Sequence, residues 1–136
     1  AALPARRALN MNLAAIAAVA AGGAAGSVAR YLVSTVWLPA AGPHALPWGT
    51  LLVNVAGSFL MGLLFTLFSQ YLPHAATLRV ALLAGFLGGF TTFSSFSIET
   101  LRLFQEGQPG LAIVYVLASV TSCLLAVWLG FVLVKP

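Results

Sequence analysis

The chain has no aspartate, and its two acids are Glu99 and Glu106. Only 6% of its 136 residues are charged, against about a quarter in a soluble domain. So few charges cannot cover a water-facing surface. There is one cysteine, Cys123, which excludes an intrachain disulfide and leaves the redox compartment open. In its apolar stretch it reads as a small buried hydrophobe. The two histidines, His44 and His74, both fall in predicted loops with no cysteine or aspartate beside them, which argues against a side-chain metal site. No catalytic constellation and no phosphate-binding loop beside a strand can be assembled, so hydrolysis and redox catalysis are excluded and the chain does not read as an enzyme. The six basic residues are scattered singly and in one pair, so the net charge of +4 does not point to nucleic acid. They read as membrane-end anchors.

What is abundant is apolar: 61% of the residues are hydrophobic and the mean hydropathy is +1.04. A hydrocarbon core takes about 20 apolar residues per helix. Four segments qualify, from about Leu13 to Leu38, Trp48 to Tyr71, Ala75 to Phe104 and Pro109 to Val134. Pro39 and Pro73 end the first two, and Trp37 and Trp48 flank the first loop at interfacial positions. The fold class is therefore an all-α integral membrane protein. Residues 1–12 form an N-terminal extension and 13–136 a single four-helix membrane domain. Arg6 and Arg7 before an Ala-rich run also suit a signal peptide, but the apolar stretch continues to Trp37, too long for one.

Four spans place both termini on one side. Lysine and arginine then count four against two in favour of termini inside, and two against two when the first ten residues are set aside. The second count carries no orientation bias.

Polar residues recur on single helical faces. Thr50, Asn54 and Ser58 stand at i, i+4 and i+8 with Gly57 beside them; Tyr115, Ser119 and Ser122 stand at i, i+4 and i+7. Each alone suits helix packing, where an interhelical hydrogen bond contributes about 0.6 kcal/mol. Together they suit a hydrated track that offers N–H and O–H donors to an anion. Ala18, Gly22 and Gly26 read as a close-packing seam, and Arg30 at its end reads as a snorkelling or hydrogen-bonded residue ahead of one that raises the local potential for an anion.

The third segment is the sharpest signal. Its run Gly85-Phe86-Leu87-Gly88-Gly89-Phe90-Thr91-Thr92-Phe93-Ser94-Ser95-Phe96-Ser97 puts glycines, hydroxyls and aromatics where a plain span carries Leu and Ile. Gly88-Gly89 followed by Thr91-Thr92 is expected to interrupt the helix, exposing carbonyls before the break and N–H groups after it. Irregular backbone at membrane depth belongs where it is buried in protein or lines a cavity. Phe90, Phe93 and Phe96 are expected to stack on one face, with their electropositive edges available to an anion. Glu99 has Arg102 one turn away, so a local salt bridge is expected. The absence of a carboxylate at mid-helix argues against a proton-coupled exporter of organic cations, the main rival reading. A structural subunit, the third reading, leaves Asn54, the broken helix and the aligned hydroxyls unexplained.

Gly49 to Phe59, Gly85 to Ser97 and Gly22 to Tyr31 resemble the second-, third- and first-helix patterns of the Fluc (CrcB) fluoride channels, and the likeness runs from about Leu13 to Leu133. The resemblance implies a passive, fluoride-selective channel that exports toxic fluoride across a cell membrane, with a bacterial inner membrane the natural setting. It implies an antiparallel, dual-topology homodimer with two pores and a central structural sodium ion. On this resemblance Asn54, Phe93 and Phe96 line the fluoride path, with Tyr115, Ser119 and Ser122 as a polar track and Thr50 near the vestibule. The backbone carbonyls of Gly88 and Thr91 hold the sodium, and Arg30 is a basic residue of unassigned role. Fluoride, membrane lipid and a second copy of the chain are the implied partners.

Overall fold

The computed structural model describes residues 3–39, 42 and 45–135, with residues 3–12 by backbone alone. His44 lies outside the described residues. Four helical spans long and apolar enough to cross a membrane run over Leu13–Trp37, Trp48–Gln70, Ala76–Gln105 and Pro109–Val134. Among the described residues there is no strand. This is a multi-pass membrane protein.

The first span is α1 (Leu3–Tyr31), which continues as a π-helical stretch, Leu32–Trp37. The second is α2 (Trp48–Gln70). The third is built in pieces: α3 (Ala76–Val80), a π-helical stretch (Ala81–Leu87), α4 (Gly88–Phe90) and α5 (Phe93–Gln105). The fourth is α6 (Pro109–Val134). Local chemistry sets the ends. Pro39 stops the first span, Pro47 precedes α2, and Pro109 opens α6, where its missing N–H costs nothing. After α5, Gly107 takes a positive φ of 73°. Its N–H donates to Phe104 O and that of Gln108 to Leu103 O at 2.8 Å. This Schellman closure satisfies the last carbonyls of α5 and turns the chain into α6.

Glycine decides which spans meet. A Cβ at Gly22 would strike the backbone of Ala81 and Phe86, and one at Gly26 that of Phe86 and Phe90. The first span therefore lies backbone-to-backbone on the first half of the third. A Cβ at Gly62 would strike Val127 and Phe131, and one at Gly130 would strike Phe59 and Leu63. The second and fourth spans form the second such seam. Both pairs run parallel, because the members of each are two crossings apart. Without a hydrophobic drive between helices in lipid, such small-residue approach is what holds helices together.

The third span departs from a continuous helix at two residues. Thr91 (φ −85°, ψ 156°) and Thr92 (φ −152°, ψ 114°) are extended. Gly88 and Gly89, expected to interrupt the helix, are themselves helical. Glycine in a membrane helix serves close approach as readily as breaking: Gly89 sits against Gly23 and Ser27 of α1.

Candidate functional site

The extended pair frees backbone groups that a helix would have paired, and named side chains take most of them up. Asn54 of α2 reads Thr92 twice: its Oδ1 accepts from Thr92 N–H at 2.8 Å, and its Nδ2 donates to Thr92 O at 3.0 Å. Thr92 Oγ1 accepts from Ser95 N–H at 3.1 Å and so caps the start of α5. Arg30 Nε donates to Gly89 O at 3.0 Å, a bond that ties the first span to the third. Thr91 N–H donates to Leu87 O. The Gly88 carbonyl loses its helical partner because Thr92 N–H is given to Asn54. Among the described residues no three His, Cys, Asp or Glu side chains gather, so a cation held here would be held by backbone oxygens.

Beside the extended pair lies an open groove of about 370 Å³ between α2, α5 and α6. Asn54, Ser58, Thr92, Phe93, Phe96 and Ser119 are among the residues that line it, with Cys123 on its wall. Phe93 is 78% exposed and Phe96 only 9%. Their rings are tilted at 46° with centroids 5.4 Å apart, and Phe96 in turn meets the Tyr115 ring at 5.3 Å and 48°. Tilted rings present edges to one another and to whatever lies between. Phe90 does not join them. It precedes the extended pair and stacks on Phe86 at 13°, so the expected three-ring face is two rings plus Tyr115. The extended residues rotate Phe93 away from the register that a continuous helix would have kept.

Ser119 is the residue that the protein leaves incomplete. It is 6% exposed, and its Oγ finds no hydrogen-bond partner among the described residues. A buried hydroxyl without a partner is costly. Its neighbours on the same face are committed. Ser122 Oγ donates back to Ala118 O within its own helix, and Tyr115 OH donates to Glu99 Oε2 at 2.8 Å.

Thr50 closes that second cluster, donating to Glu99 Oε1 at 2.7 Å. Both oxygens of Glu99 are thus engaged by hydroxyls from α2 and α6. This corrects the expected local pair with Arg102: the carboxylate faces the bundle, and two donors from neighbouring helices replace the cation one turn along. The cluster sits over the packed residues Phe96, Leu103, Ala112 and Tyr115. Sequence spacing singled out Thr50 and Tyr115 without the acid that joins them. The available signal was an acid within a span, which is a functional candidate by default.

Comparison with known proteins places this geometry in a family. The profile of "CrcB-like protein, Camphor Resistance (CrcB)" matches residues 17–131. The fluoride-specific ion channel FluC of Magnetococcus marinus is 53% identical over 120 residues, covering 86% of this chain and 94% of its own length. The protein of the same name from Agrobacterium fabrum is 51% identical over 118 residues, covering 87% and 94%. That from Geobacter sulfurreducens is 49% identical over 115 residues, covering 85% and 92%.

Proposed function

The chain belongs to the CrcB family, and from that premise we propose that it is a passive, fluoride-selective channel that lets toxic fluoride leave the cytoplasm. The observation that carries the reading is the unpartnered Ser119 hydroxyl on the groove walled by Phe93, Phe96 and Asn54. Fluoride is small and strongly hydrated. A pore must replace its water with close donors without trapping it. A free serine O–H, the remaining Nδ2 hydrogen of Asn54 and the positive edges of two phenyl rings supply that contact with no fixed cation. Asn54 has a second task here. By satisfying both backbone groups of Thr92 it holds α5 where the rings face the groove.

We read the extended pair as the functional break of the third span. The chain as a dual-topology antiparallel homodimer with two pores follows the same reading, supported by the even charge count of the helical domain and by the exposure of Phe93. The carbonyls of Gly88 and Thr91 fit a structural sodium ion in donor type: hard oxygens, released from helical pairing by the turn to extended backbone. A sodium ion there would neutralise carbonyl dipoles and join the two subunits. Tyr115 and Thr50 act in this scheme through Glu99, keeping the only carboxylate within the spans engaged and away from the anion.

The test is efflux from liposomes holding the purified protein, followed with fluoride and then chloride electrodes, for the wild type and Ser119→Ala. Rapid fluoride release, negligible chloride release and a fluoride rate reduced about tenfold in Ser119→Ala support the reading. No fluoride release from a monodisperse protein overturns the channel. Full release from Ser119→Ala removes the hydroxyl from the path.

A further inference from the structure

A second cavity continues the Asn54 groove along the same face of the α2–α6 seam toward the helix ends, the two sharing Met61 and Val127. It is an open slot of about 350 Å³ between Met61, Gly62, Phe65, Val127, Trp128 and Phe131, and its lining surface is wholly apolar. Two of its walls carry cations. The Arg79 guanidinium lies over the Phe65 ring at 5.5 Å, and Lys135 Nζ lies over the Phe131 ring at 5.6 Å. Phe65 is five residues from the end of α2 at Gln70, and Phe131 three from the end of α6 at Val134. At about 1.5 Å per residue, both rings stand within roughly 8 Å of their helix ends, at the level where hydrocarbon gives way to headgroups.

The chain supplies these cations with no acid. Its two glutamates are Glu99 and Glu106. Glu99 is engaged by Thr50 and Tyr115. Glu106 ends α5 on the far side of the membrane from Lys135, since α6 crosses the bilayer between them. An apolar slot that opens between two cations at the interface matches a single chemistry: a hydrocarbon chain bearing an anionic headgroup. We propose that this slot binds an anionic phospholipid, one acyl chain lying over the Gly62 seam between the Phe65 and Phe131 rings and the phosphate held by Arg79 and Lys135. Gly62 lets the backbones of α2 and α6 meet at Val127 and Phe131, and that closed seam is the floor of the slot beneath Phe65 and Trp128. Anionic lipid then braces the seam at the end of the Asn54 and Ser119 groove, with which the slot shares Met61 and Val127. The inference is independent of which ion the groove passes.

Trp128 on the wall is the reporter. The chain has three tryptophans, and W37F/W48F leaves Trp128 alone. This protein is reconstituted in phosphatidylcholine vesicles containing a minor fraction of bromine-labelled phosphatidylglycerol or, in parallel, bromine-labelled phosphatidylcholine. Bromine quenches the indole on contact. The expected result is about twofold stronger quenching by the anionic lipid, lost on adding R79Q/K135Q and kept on adding R102Q, which removes a cation from the other end of the third span. Equal quenching by the two lipids overturns the site. So does a preference that survives R79Q/K135Q. A preference that falls equally with R102Q also overturns it, since the attraction is then general to the charged surface.

Discussion

At the scale of single residues, Asn54 is the most constrained position in the protein. Its amide donates to and accepts from the same extended residue, so an acid cannot replace it. In Asn54→Asp one oxygen would face Thr92 O instead of donating to it, and a negative charge would stand beside the anion path. At about 4 Å and an effective dielectric constant near 20, like charges repel by about 4 kcal/mol. Fluoride efflux in Asn54→Asp is expected to fall by tenfold or more, a tenfold change being about 1.4 kcal/mol; the fluoride electrode reads it directly. The two phenylalanines part company in a way their spacing did not disclose. Phe93→Ile changes an exposed ring with one tilted contact, to Phe96, and is expected to slow efflux with a smaller loss of thermal stability than Phe96→Ile. Phe96→Ile loses tilted contacts to Phe93 and Tyr115, each contributing about 0.5–1.5 kcal/mol. It is expected to slow efflux and lower the unfolding temperature together. The sequence could name Asn54, Phe93, Phe96 and Ser119 because polar and aromatic groups are conspicuous in an apolar chain. It could not pair them: Asn54 meets Thr92 across 38 positions and Thr50 meets Glu99 across 49. Such distant partners leave no trace in local spacing.

At the scale of elements, the four spans were legible almost to the residue, because hydropathy over some 20 positions is a strong signal. The site of the interruption was not. Two adjacent glycines invite a break, yet in a membrane helix the deciding term is who satisfies the freed backbone. Asn54 and the Thr92 hydroxyl do so at Thr92, and the chain extends there. Thr92→Ala is expected to destabilise the fold by about 1 kcal/mol through loss of the α5 cap, with Thr92→Ser restoring it; differential scanning fluorimetry in detergent separates the two. The pairing of spans was equally hidden. Gly62 and Gly130 read as ordinary small residues until each is seen against the other helix's backbone. Gly62→Leu is expected to push α2 off α6 and to cost several kcal/mol, in the range of an overpacked core or beyond, seen as loss of monodisperse protein on size-exclusion chromatography.

At the scale of the whole molecule, orientation rests on very few charges. With Arg6 and Arg7 counted, basic residues favour termini inside; without them the two sides are even. R6Q/R7Q is expected to move the population toward equal insertion in both directions. Carboxy-terminal fusions to alkaline phosphatase and to green fluorescent protein measure it, one reporter being active on each side, and a signal from only one of them in R6Q/R7Q counts against dual insertion. The parallel seams carry a different consequence, one of timing. Gly49 sets the start of α2 against Ser34 and Leu38 of the span before it, but the two long glycine seams each skip a span: the first waits for the third, and the second for the fourth. During synthesis, Thr50 and Asn54 of α2 find Glu99 and Thr92 on the third span, but the Gly62 face stays bare until the last span has left the ribosome and entered the bilayer. The α2–α6 seam therefore closes last, after the other contacts of α2 are in place. A chain cut short after α5 would present its quality-control proteases with an unsealed second helix, which makes the final 26 residues of α6 the step that decides survival.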